Sequence, residues 1–415
     1  MTPGEITTLL KQSIEAVLKV SMPDPCLKNH IPEPPTGKLI VIGAGKAAAE
    51  MARVFEKNYE GELSGVVVTR YGHAVKTKRI KVMEAAHPIP DLECVNAVDE
   101  IIKTIHTANR DDLIVCLLSG GGSSLLTAPI DRIKFETVRN ICMDLLHSGA
   151  DITEMNTLRK HLNRALGGGL ALEAQTTPML TLSISDVNGN IPSVIASGPT
   201  VPDETTLKDC WDVLKKYGIT PDYTIEDALN NPNNETAKEH YSIFSNKIYE
   251  LIATPEKSLE AAEKFWKEQG FHVHNLGASI DGNTNIAAKK QIELINALPQ
   301  RPLAIISGGE TTVKVTGEGK GGPNTQFVLQ AAIALNGHEN TYVMAYDTDG
   351  IDGSEDNGGA ICTPDTLKRA KENNIDPNKF LRNNDSYSFF KTLDDLIITG
   401  PTHTNVNDYR VVLVL

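Results

Sequence analysis

The sequence has few aromatic residues, no paired cysteine motif and no long apolar run. Only 5% of its 415 residues are Phe, Trp or Tyr, which argues against a surface that stacks nucleic-acid bases. Its six cysteines include no C-x-x-C pair, so we expect reduced thiols and a cytoplasmic location instead of disulfides or a zinc site. No segment approaches the ~18 apolar residues of a membrane span. The N-terminal residues, with Thr2 and Glu5 as a capping box, predict a helix and not a signal peptide.

Positive charge is also scarce. The chain carries 40 Lys and Arg against 53 Asp and Glu, a formal net charge of −13. Such a balance disfavours nucleic acid as a partner. An anionic ligand would have to be held by a few local cations and by backbone N–H groups.

Short Val-, Ile- and Leu-rich runs alternate with helix-period segments through most of the chain. The runs at residues 38–43, 65–69, 112–118 and 179–183 are followed by helical patterns, which predicts an α/β fold with parallel sheets covered on both faces. A polar stretch at residues 230–235 predicts a domain boundary. We therefore expect α/β domains at residues 1–235 and 236–415, with the option that the final strand packs back on the first domain.

A glycine-rich segment follows the predicted strand at residues 112–118. Three consecutive glycines let the backbone approach a ligand closely, and flanking hydroxyls add donors. We interpret the segment as a phosphate or carboxylate site, with a flexible turn as the alternative; its residues are Ser119, Gly120, Gly121, Gly122, Ser123 and Ser124. A similar segment follows the strand at residues 303–306 and contains Ser307, Gly308, Gly309 and Glu310.

Two charged residues follow other predicted strands. Lys46 would lie at a helix N-terminus, where its charge opposes the helix dipole; an anionic ligand and a solvated lysine explain it equally well. The glycines at 43 and 45 form only part of a dinucleotide fingerprint. Asp186 would lie at the carboxyl end of a strand, as a base, a metal ligand or the cap of an Asx turn.

Two further segments concentrate charge. Residues 156–164 read as the start of a basic helix in which Lys160 and Arg164 share a face, which is typical of a solvated surface unless an anion lies there. Residues 347–356 hold five carboxylates among glycines. Asp347, Asp349 and Asp352 are candidate Mg²⁺ ligands, and a solvated acidic loop is the alternative.

Taken together, these segments resemble those of class II glycerate kinases, the glycerate 2-kinases of the MOFRL family. The resemblance covers nearly the whole chain and rests on residues 43–47, 86–91, 118–124, 156–161, 185–199, 307–312, 319–324, 347–353 and 399–408. It implies ATP- and Mg²⁺-dependent phosphorylation of D-glycerate, usually at the 2-hydroxyl, to give 2-phosphoglycerate and ADP. It also implies a Rossmann-like three-layer first domain, an active-site cleft between the two domains, and a monomer or homodimer.

The resemblance assigns roles to individual residues. Lys46 matches the family's active-site lysine and Asp186 its functionally important aspartate. Arg159, Lys160, Lys320 and Asn324 join the two glycine segments as expected substrate- or phosphate-binding residues. The chain departs from the family at Pro323, which stands where an arginine is usual.

Two more departures concern anion binding. Residues 166–169 read Leu-Gly-Gly-Gly where the family has Lys-Gly-Gly-Arg, and His403 replaces a glycine. Arg164, Lys320 or His403 could supply the missing charge or donor.

We expect Lys46 to neutralise charge on the transferred phosphoryl group or on the substrate carboxylate. Asp186 would orient the glycerate hydroxyl or accept its proton, with metal ligation as the alternative. Two other functions stay open from the sequence: an NAD(P)-dependent hydroxypyruvate reductase and a non-catalytic sensor of sugar acids or nucleotides.

Overall fold

The computed structural model describes residues 1–415 and contains sixteen α-helices and twelve strands. The helices are α1 (Pro3–Lys19), α2 (Pro23–Leu27), α3 (Ala48–Asn58), α4 (Leu92–Ile105), α5 (Gly122–Leu125), α6 (Phe135–His147), α7 (Ile152–His161), α8 (Gly169–Ala174), α9 (Leu207–Lys216), α10 (Tyr223–Asn230), α11 (Pro255–Glu268), α12 (Thr284–Ala297), α13 (Pro323–Leu335), α14 (Thr366–Glu372), α15 (Pro377–Arg382) and α16 (Ser386–Leu393). The strands are β1 (Leu39–Ala44), β2 (Leu63–Arg70), β3 (Ile80–Ala85), β4 (Leu113–Leu118), β5 (Met179–Ile184), β6 (Lys247–Ala253), β7 (His272–Asn275), β8 (Leu303–Gly309), β9 (Thr341–Asp347), β10 (Gly359–Cys362), β11 (Leu396–Ile397) and β12 (Asp408–Val414). No helix combines the length and the apolar character needed to cross a membrane.

The chain forms two compact units whose limits differ from the predicted 1–235 and 236–415. Residues 26–252 form one unit, which we call the Rossmann unit, and residues 1–25 with 253–415 form the other, which we call the mixed-sheet unit. The boundary moves to residue 252 because β6 is added to the edge of the first sheet. Residues 1–25, which were predicted to belong to the first domain, belong to the mixed-sheet unit because α1 packs on α11 and on the second sheet.

The sheet of the Rossmann unit confirms the predicted α/β architecture. Its strand order is β3-β2-β1-β4-β5-β6, and the pairs among β1 to β5 are parallel. This is the order of dinucleotide-binding folds, in which the direction of winding reverses between β1 and β4. Every residue of β1 is buried, as expected for a central strand covered on both faces.

A separate helical layer belongs to the same unit. Helices α6, α7, α9 and α10 share an apolar core that includes Ile141, Leu158, Leu214 and Leu229. The sequence analysis did not predict this core, since it arises from helices that are far apart along the chain.

The sheet of the mixed-sheet unit has the order β11-β10-β9-β12-β8-β7. Only β7 and β8 pair in parallel, because β12 runs antiparallel to β8 and β9, and β10 runs antiparallel to β9 and β11. The expectation of an all-parallel sheet is therefore wrong here. The option that the final strand joins the first domain is also wrong, since β12 is central in this sheet.

Candidate functional site

The register of the first sheet brings three predicted site segments to one edge. Ala44 of β1 lies opposite Leu118 of β4, and Leu118 lies opposite Ser183 of β5. Adjacent strands are about 4.8 Å apart, so the residues that follow these three strand ends are neighbours. They are Lys46, the glycine-rich segment and Asp186. Ligands in open α/β sheets bind at this position, beyond the carboxyl ends of the strands where the winding reverses.

The start of α3 is tied to the segment after β4 by its own amides. The Lys46 N–H donates to the Gly120 carbonyl at 2.9 Å, and the Ala47 N–H donates to Ser119 Oγ at 3.0 Å. Ser119 is fully buried. Its hydroxyl therefore joins the two segments, and the amides of Lys46 and Ala47, just before α3, are already bonded within the protein.

The glycine-rich segment keeps several donors open. Gly121 has φ +84°, which favours glycine, and α5 begins directly after it. The amides of Gly120, Gly121, Ser123 and Ser124 donate no hydrogen bond within the protein. Clustered amides of this kind can accommodate an oxyanion, so the predicted anion site has a structural basis.

Lys46 and His87 border the same loop. A methyl group on Gly121 would lie 2.9 Å from His87 Nε2 and 3.5 Å from Lys46 Cγ. The aliphatic part of the half-buried Lys46 side chain therefore lies against the loop. His87 belongs to the segment at residues 86–91, one of those that carry the family resemblance.

A segment with a strained backbone, residues 196–198, packs against the glycine-rich loop. Ala196, Ser197 and Gly198 have successive φ values of +50°, +58° and +59°, although only glycine adopts this region without cost. Ser197 Oγ is 2.8 Å from Ser123 Oγ, and a methyl group on Gly122 would lie 2.6 Å from Ala196 Cβ. Backbone strain of this sort concentrates at functional sites.

Asp186 is half-buried just beyond β5. In the turn there, Ser185 Oγ accepts from the Val187 N–H at 3.2 Å, and the role of Asp186 stays a prediction. Burial raises the pKa of Tyr249 on β6, and the negative charge of Asp186 adds to the rise. Tyr249 therefore stays neutral beside the Asp186 carboxylate.

The basic segment differs from its prediction. Helix α7 begins at Ile152, because Asp151 and Glu154 form a capping box, and residues 156–161 form its last turns, where cations favour the dipole. Arg164 lies beyond the helix and pairs with Asp99 at 2.6 Å. It does not share a helix face with Lys160, so that expectation is wrong.

Lys160 forms a buried ion pair with Asp203, with Nζ 2.9 Å from Oδ1. Burial would raise the pKa of Asp203, but the Lys160 ammonium and hydrogen bonds from Lys160 and Thr205 lower it overall. Lys160 thus acts inside the unit, whereas Arg159 is half-buried and donates to Asn156 Oδ1 at 3.4 Å, and its ligand role stays a prediction.

The second glycine segment is a strand end and not a loop. Strand β8 continues through Gly309, and Ser307 Oγ bonds Gln291 Oε1 at 2.9 Å inside the mixed-sheet unit. Arg410 donates to the carbonyls of Gly308 and Gly309. Of the four predicted residues only Glu310 is exposed; their binding role stays a prediction.

The acidic segment does not form a three-carboxylate metal site. Asp352 is fully buried at the start of α13, where its two oxygens accept the N–H groups of Asn324 and Thr325 at 2.9 and 2.8 Å. Burial raises its pKa to about 6 against the effect of these bonds. The helix amides and the Thr325 hydroxyl therefore already engage both carboxylate oxygens, and the role of Asp352 as a metal ligand stays a prediction.

The other two predicted ligands of the acidic segment, Asp347 and Asp349, accept backbone N–H groups. Asp347 Oδ1 accepts the Asp349 N–H, and Asp349 Oδ1 accepts the Ile351 N–H. No group of three or more His, Cys, Asp or Glu side chains is arranged to hold a metal. Asp347 and Asp349 stay candidate ligands for a metal ion whose remaining ligands come from outside the protein, such as phosphate oxygens or water.

The local structure shows what surrounds the residues linked to the departures from the family pattern, which are Lys320, Pro323 and His403. Lys320 is exposed and pairs with Glu355 at 3.1 Å. Pro323 occupies the first turn of α13, a position that suits its fixed φ. His403 has φ +60°, the region in which the family's glycine would be favoured.

The mixed-sheet unit contains a buried polar network that the sequence did not predict. Arg410 pairs with Asp408 on β12, its guanidinium lies 5.5 Å from the Phe327 ring centre, and Asn324 Nδ2 donates to Asp408 Oδ1 at 2.6 Å. Burial raises the pKa of Asp408, and Arg410 opposes the rise. The polar run at residues 402–408 was the available signal, but it did not point to Arg410 inside an apolar strand.

Comparison with known proteins matches both units. A family described as a domain of unknown function, DUF4147, covers residues 9–230, and the MOFRL family covers residues 303–408. The D-glycerate 2-kinase of Thermotoga maritima is 37% identical over 98% of this chain and 97% of its own length. A protein of Agrobacterium vitis with the provisional name hydroxypyruvate reductase is 42% identical over 98% of this chain and 94% of its own. The crystal structure of the Thermotoga maritima glycerate kinase superposes with a TM-score of 0.90 at 35% identity, and each chain is covered completely.

Proposed function

The chain belongs to the glycerate kinase family that combines the DUF4147 and MOFRL domains, and we propose that it transfers the γ-phosphoryl group of ATP to the 2-hydroxyl of D-glycerate. The observation that carries the proposal is the edge of the first sheet, where Lys46, the open amides of the glycine-rich loop and Asp186 follow three adjacent strand ends. A cation, N–H donors and a carboxylate are what phosphoryl transfer to an alcohol requires.

In the proposed reaction the 2-hydroxyl oxygen of D-glycerate forms a bond to the γ-phosphorus as the bond to the ADP oxygen breaks. The hydroxyl proton passes to the Asp186 carboxylate, which also orients the oxygen for attack. The Lys46 ammonium stabilises the charge on the equatorial phosphoryl oxygens, and the amides of Gly120, Gly121 and Ser123 fix one anionic group by hydrogen bonds.

A divalent cation, Mg²⁺ in our proposal, would neutralise charge on the donor's phosphates when bound. No group of three or more His, Cys, Asp or Glu side chains is arranged to hold a metal, so in this proposal the phosphates hold most of the ion. Asp186 could add one carboxylate oxygen, since Mg²⁺ usually takes one or two from the protein, and Asp347 and Asp349 stay predicted ligands.

The local geometry at β1 disfavours the hydroxypyruvate reductase alternative. A dinucleotide cofactor places its pyrophosphate on the free amides at the start of the helix after β1. Here the amides of Lys46, Ala47 and Ala48 already donate to Gly120, Ser119 and Gly45. The protein should not oxidise NADH or NADPH when hydroxypyruvate is supplied.

The kinase proposal is tested by incubating the protein with ATP, Mg²⁺ and D-glycerate and adding enolase. Enolase acts on 2-phosphoglycerate directly, so phosphoenolpyruvate should form without a mutase. A product that needs phosphoglycerate mutase before enolase would place transfer at the 3-hydroxyl instead. No ADP release would contradict the kinase itself.

The role of Lys46 is tested by Lys46→Ala. We expect kcat/KM to fall by about 10²-fold or more, because a preorganised charge at the transferred group is lost. Circular dichroism should show an intact fold, since the Lys46 backbone bonds do not depend on its side chain. Wild-type kcat/KM in this variant would show that Lys46 does not act on the phosphoryl group.

A cytoplasmic location is also part of the proposal. All six cysteines are free thiols, and five of them are buried, which is typical of proteins from a reducing compartment. D-glycerate and ATP are the proposed small-molecule partners, and assembly as a monomer or homodimer stays a prediction.

A further inference from the structure

An apolar cavity of about 370 Å³ lies in the Rossmann unit, between residues 88–90 and helices α6 and α7. Its wall includes Phe135, Val138 and Met155. We propose that this cavity, which we call the α6–α7 cavity, binds the nucleobase of the phosphoryl donor. The proposal rests on the proposed kinase function and adds to it the place where the nucleoside part of ATP is held.

The cavity is continuous with the glycine-rich loop. Ser124 belongs to the loop and also lines the cavity, and its Oγ donates to the Pro88 carbonyl at 2.9 Å. Pro88 lines the cavity and follows His87, which borders Gly121 and hence Lys46. A ligand whose phosphates are held by the loop amides would therefore extend directly into the cavity.

The apolar wall of the α6–α7 cavity fits ATP better than it fits D-glycerate. D-glycerate has three carbons that carry a carboxylate and two hydroxyls, so it gains nothing from an apolar cavity of this size. The donor has one large, flat body with apolar faces, its purine base. A volume near the lower end of the usual range for ligand pockets, with apolar walls and few polar groups, is typical of such a site.

Two further observations support an anionic ligand with an apolar body. Ile89, Leu146 and Ile152 line the cavity, although their side chains are 59%, 52% and 61% exposed. Clustered apolar exposure of this kind marks a binding surface. Arg139 and Arg159 are the cations of the wall, and a guanidinium can stack on a base or pair with a phosphate.

Cys142 offers a chemical probe of occupancy, because it lines the cavity and is the one cysteine that is not buried. Alkylation by N-ethylmaleimide at mildly alkaline pH, located by mass spectrometry, should modify Cys142 first. Saturating ADP should slow its modification at least tenfold. Inorganic tripolyphosphate and D-glycerate should not slow it, since neither carries a base.

A second measurement uses cavity filling with a matched control. Leu146→Trp places a bulky ring in the cavity at an exposed position, and Leu172→Trp makes the same change at an exposed leucine of α8 outside it. Calorimetry should show at least a tenfold weaker Kd for ADP with Leu146→Trp and an unchanged Kd with Leu172→Trp. Tripolyphosphate should bind both variants as it binds the wild type.

The outcomes separate the cavity from the kinase function. If ADP binds to the wild type but neither protects Cys142 nor loses affinity in Leu146→Trp, the cavity assignment is wrong and the kinase proposal stands. If ADP does not bind at all while the fold is intact, both proposals are overturned. Equal protection by tripolyphosphate would place phosphates and not the base in the cavity, which also overturns the assignment.

Discussion

Lys160 shows how much a single side chain can matter away from the proposed chemistry. Lys160→Met leaves the Asp203 carboxylate buried without its partner, and we expect a loss of about 3–5 kcal/mol in the free energy of unfolding. Lys208→Met is the matched control, because the Lys208–Asp212 pair is 82% and 58% exposed and should cost less than about 1 kcal/mol. Urea unfolding measures both; equal losses would contradict a structural role for Lys160.

Asp352 gives the protein a pH-dependent stability. Its pKa is about 6 in the folded state against 3.8 for a free aspartate, so the folded protein binds more protons between these values. Its contribution to the free energy of unfolding therefore falls as the pH rises from about 4 to 6. Asp352→Asn removes this titration and one acceptor of α13, which should cost about 1–3 kcal/mol at neutral pH.

The measurement is the difference in unfolding free energy between wild type and Asp352→Asn, from urea titrations at several pH values. The advantage of the wild type should be larger at pH 4 than at pH 7. A difference that does not change with pH would show that Asp352 titrates normally.

For single residues, the sequence predicted the positions of charged side chains at strand ends better than it predicted which groups those side chains contact. Lys46 and Asp186 were placed correctly at strand ends, because apolar runs mark where strands stop. The contacts of Asp352 could not be predicted, since nothing local shows that its carboxylate caps a helix that begins at Pro323, 29 residues earlier. Partnerships of this kind depend on tertiary packing.

The glycine-rich loop allows a matched test at the scale of one element. Gly121 and Gly149 have nearly the same φ, +84° and +83°, but only at Gly121 would an added methyl group have neighbours within 4 Å. Each glycine-to-alanine change should cost roughly 1–2 kcal/mol of stability through the left-handed backbone. Only Gly121→Ala should also reduce kcat/KM, by displacing His87 or Lys46.

Steady-state kinetics with ATP and D-glycerate, beside thermal unfolding, measure this comparison. If Gly149→Ala loses as much activity as Gly121→Ala, the effect comes from global destabilisation and the loop has no special role.

Element boundaries divide into those that local patterns specify and those that they do not. The capping box at Thr2 and Glu5 correctly marked the start of α1. The same signal at Asp151 and Glu154 sets the start of α7 at Ile152, earlier than the predicted start at residue 156. The end of β8 was misjudged for a different reason: Gly308 and Gly309 have turn-like composition, but pairing with β12 keeps them in the strand.

At the scale of the whole molecule, α1 belongs with residues far along the chain. Ile6, Leu10, Ile14 and Val17 are buried in a core that includes Trp266 of α11. Removing residues 1–20 exposes that surface and should lower the stability of the mixed-sheet unit by on the order of 6 kcal/mol, at ~1.5 kcal/mol for each lost aliphatic side chain. Hydrogen exchange should become faster in α11, with α4 of the Rossmann unit as the internal reference.

Unchanged protection of α11 after the deletion would show that α1 contributes little to this core. The sequence predicted two α/β bodies but not which of them α1 joins, because an amphipathic helix specifies that it has a buried face and not where its partner lies.

The position of β12 between β8 and β9 has a consequence for synthesis on the ribosome. Strands β8 and β9 are synthesised before β12, and the place between them in the sheet stays empty until residues 408–414 arrive to pair with both. Until then each presents an unpaired edge, the kind of surface that chaperones cover and that aggregates when left alone. A released chain that lacks residues 408–414 should therefore depend on chaperones far more than one that contains them.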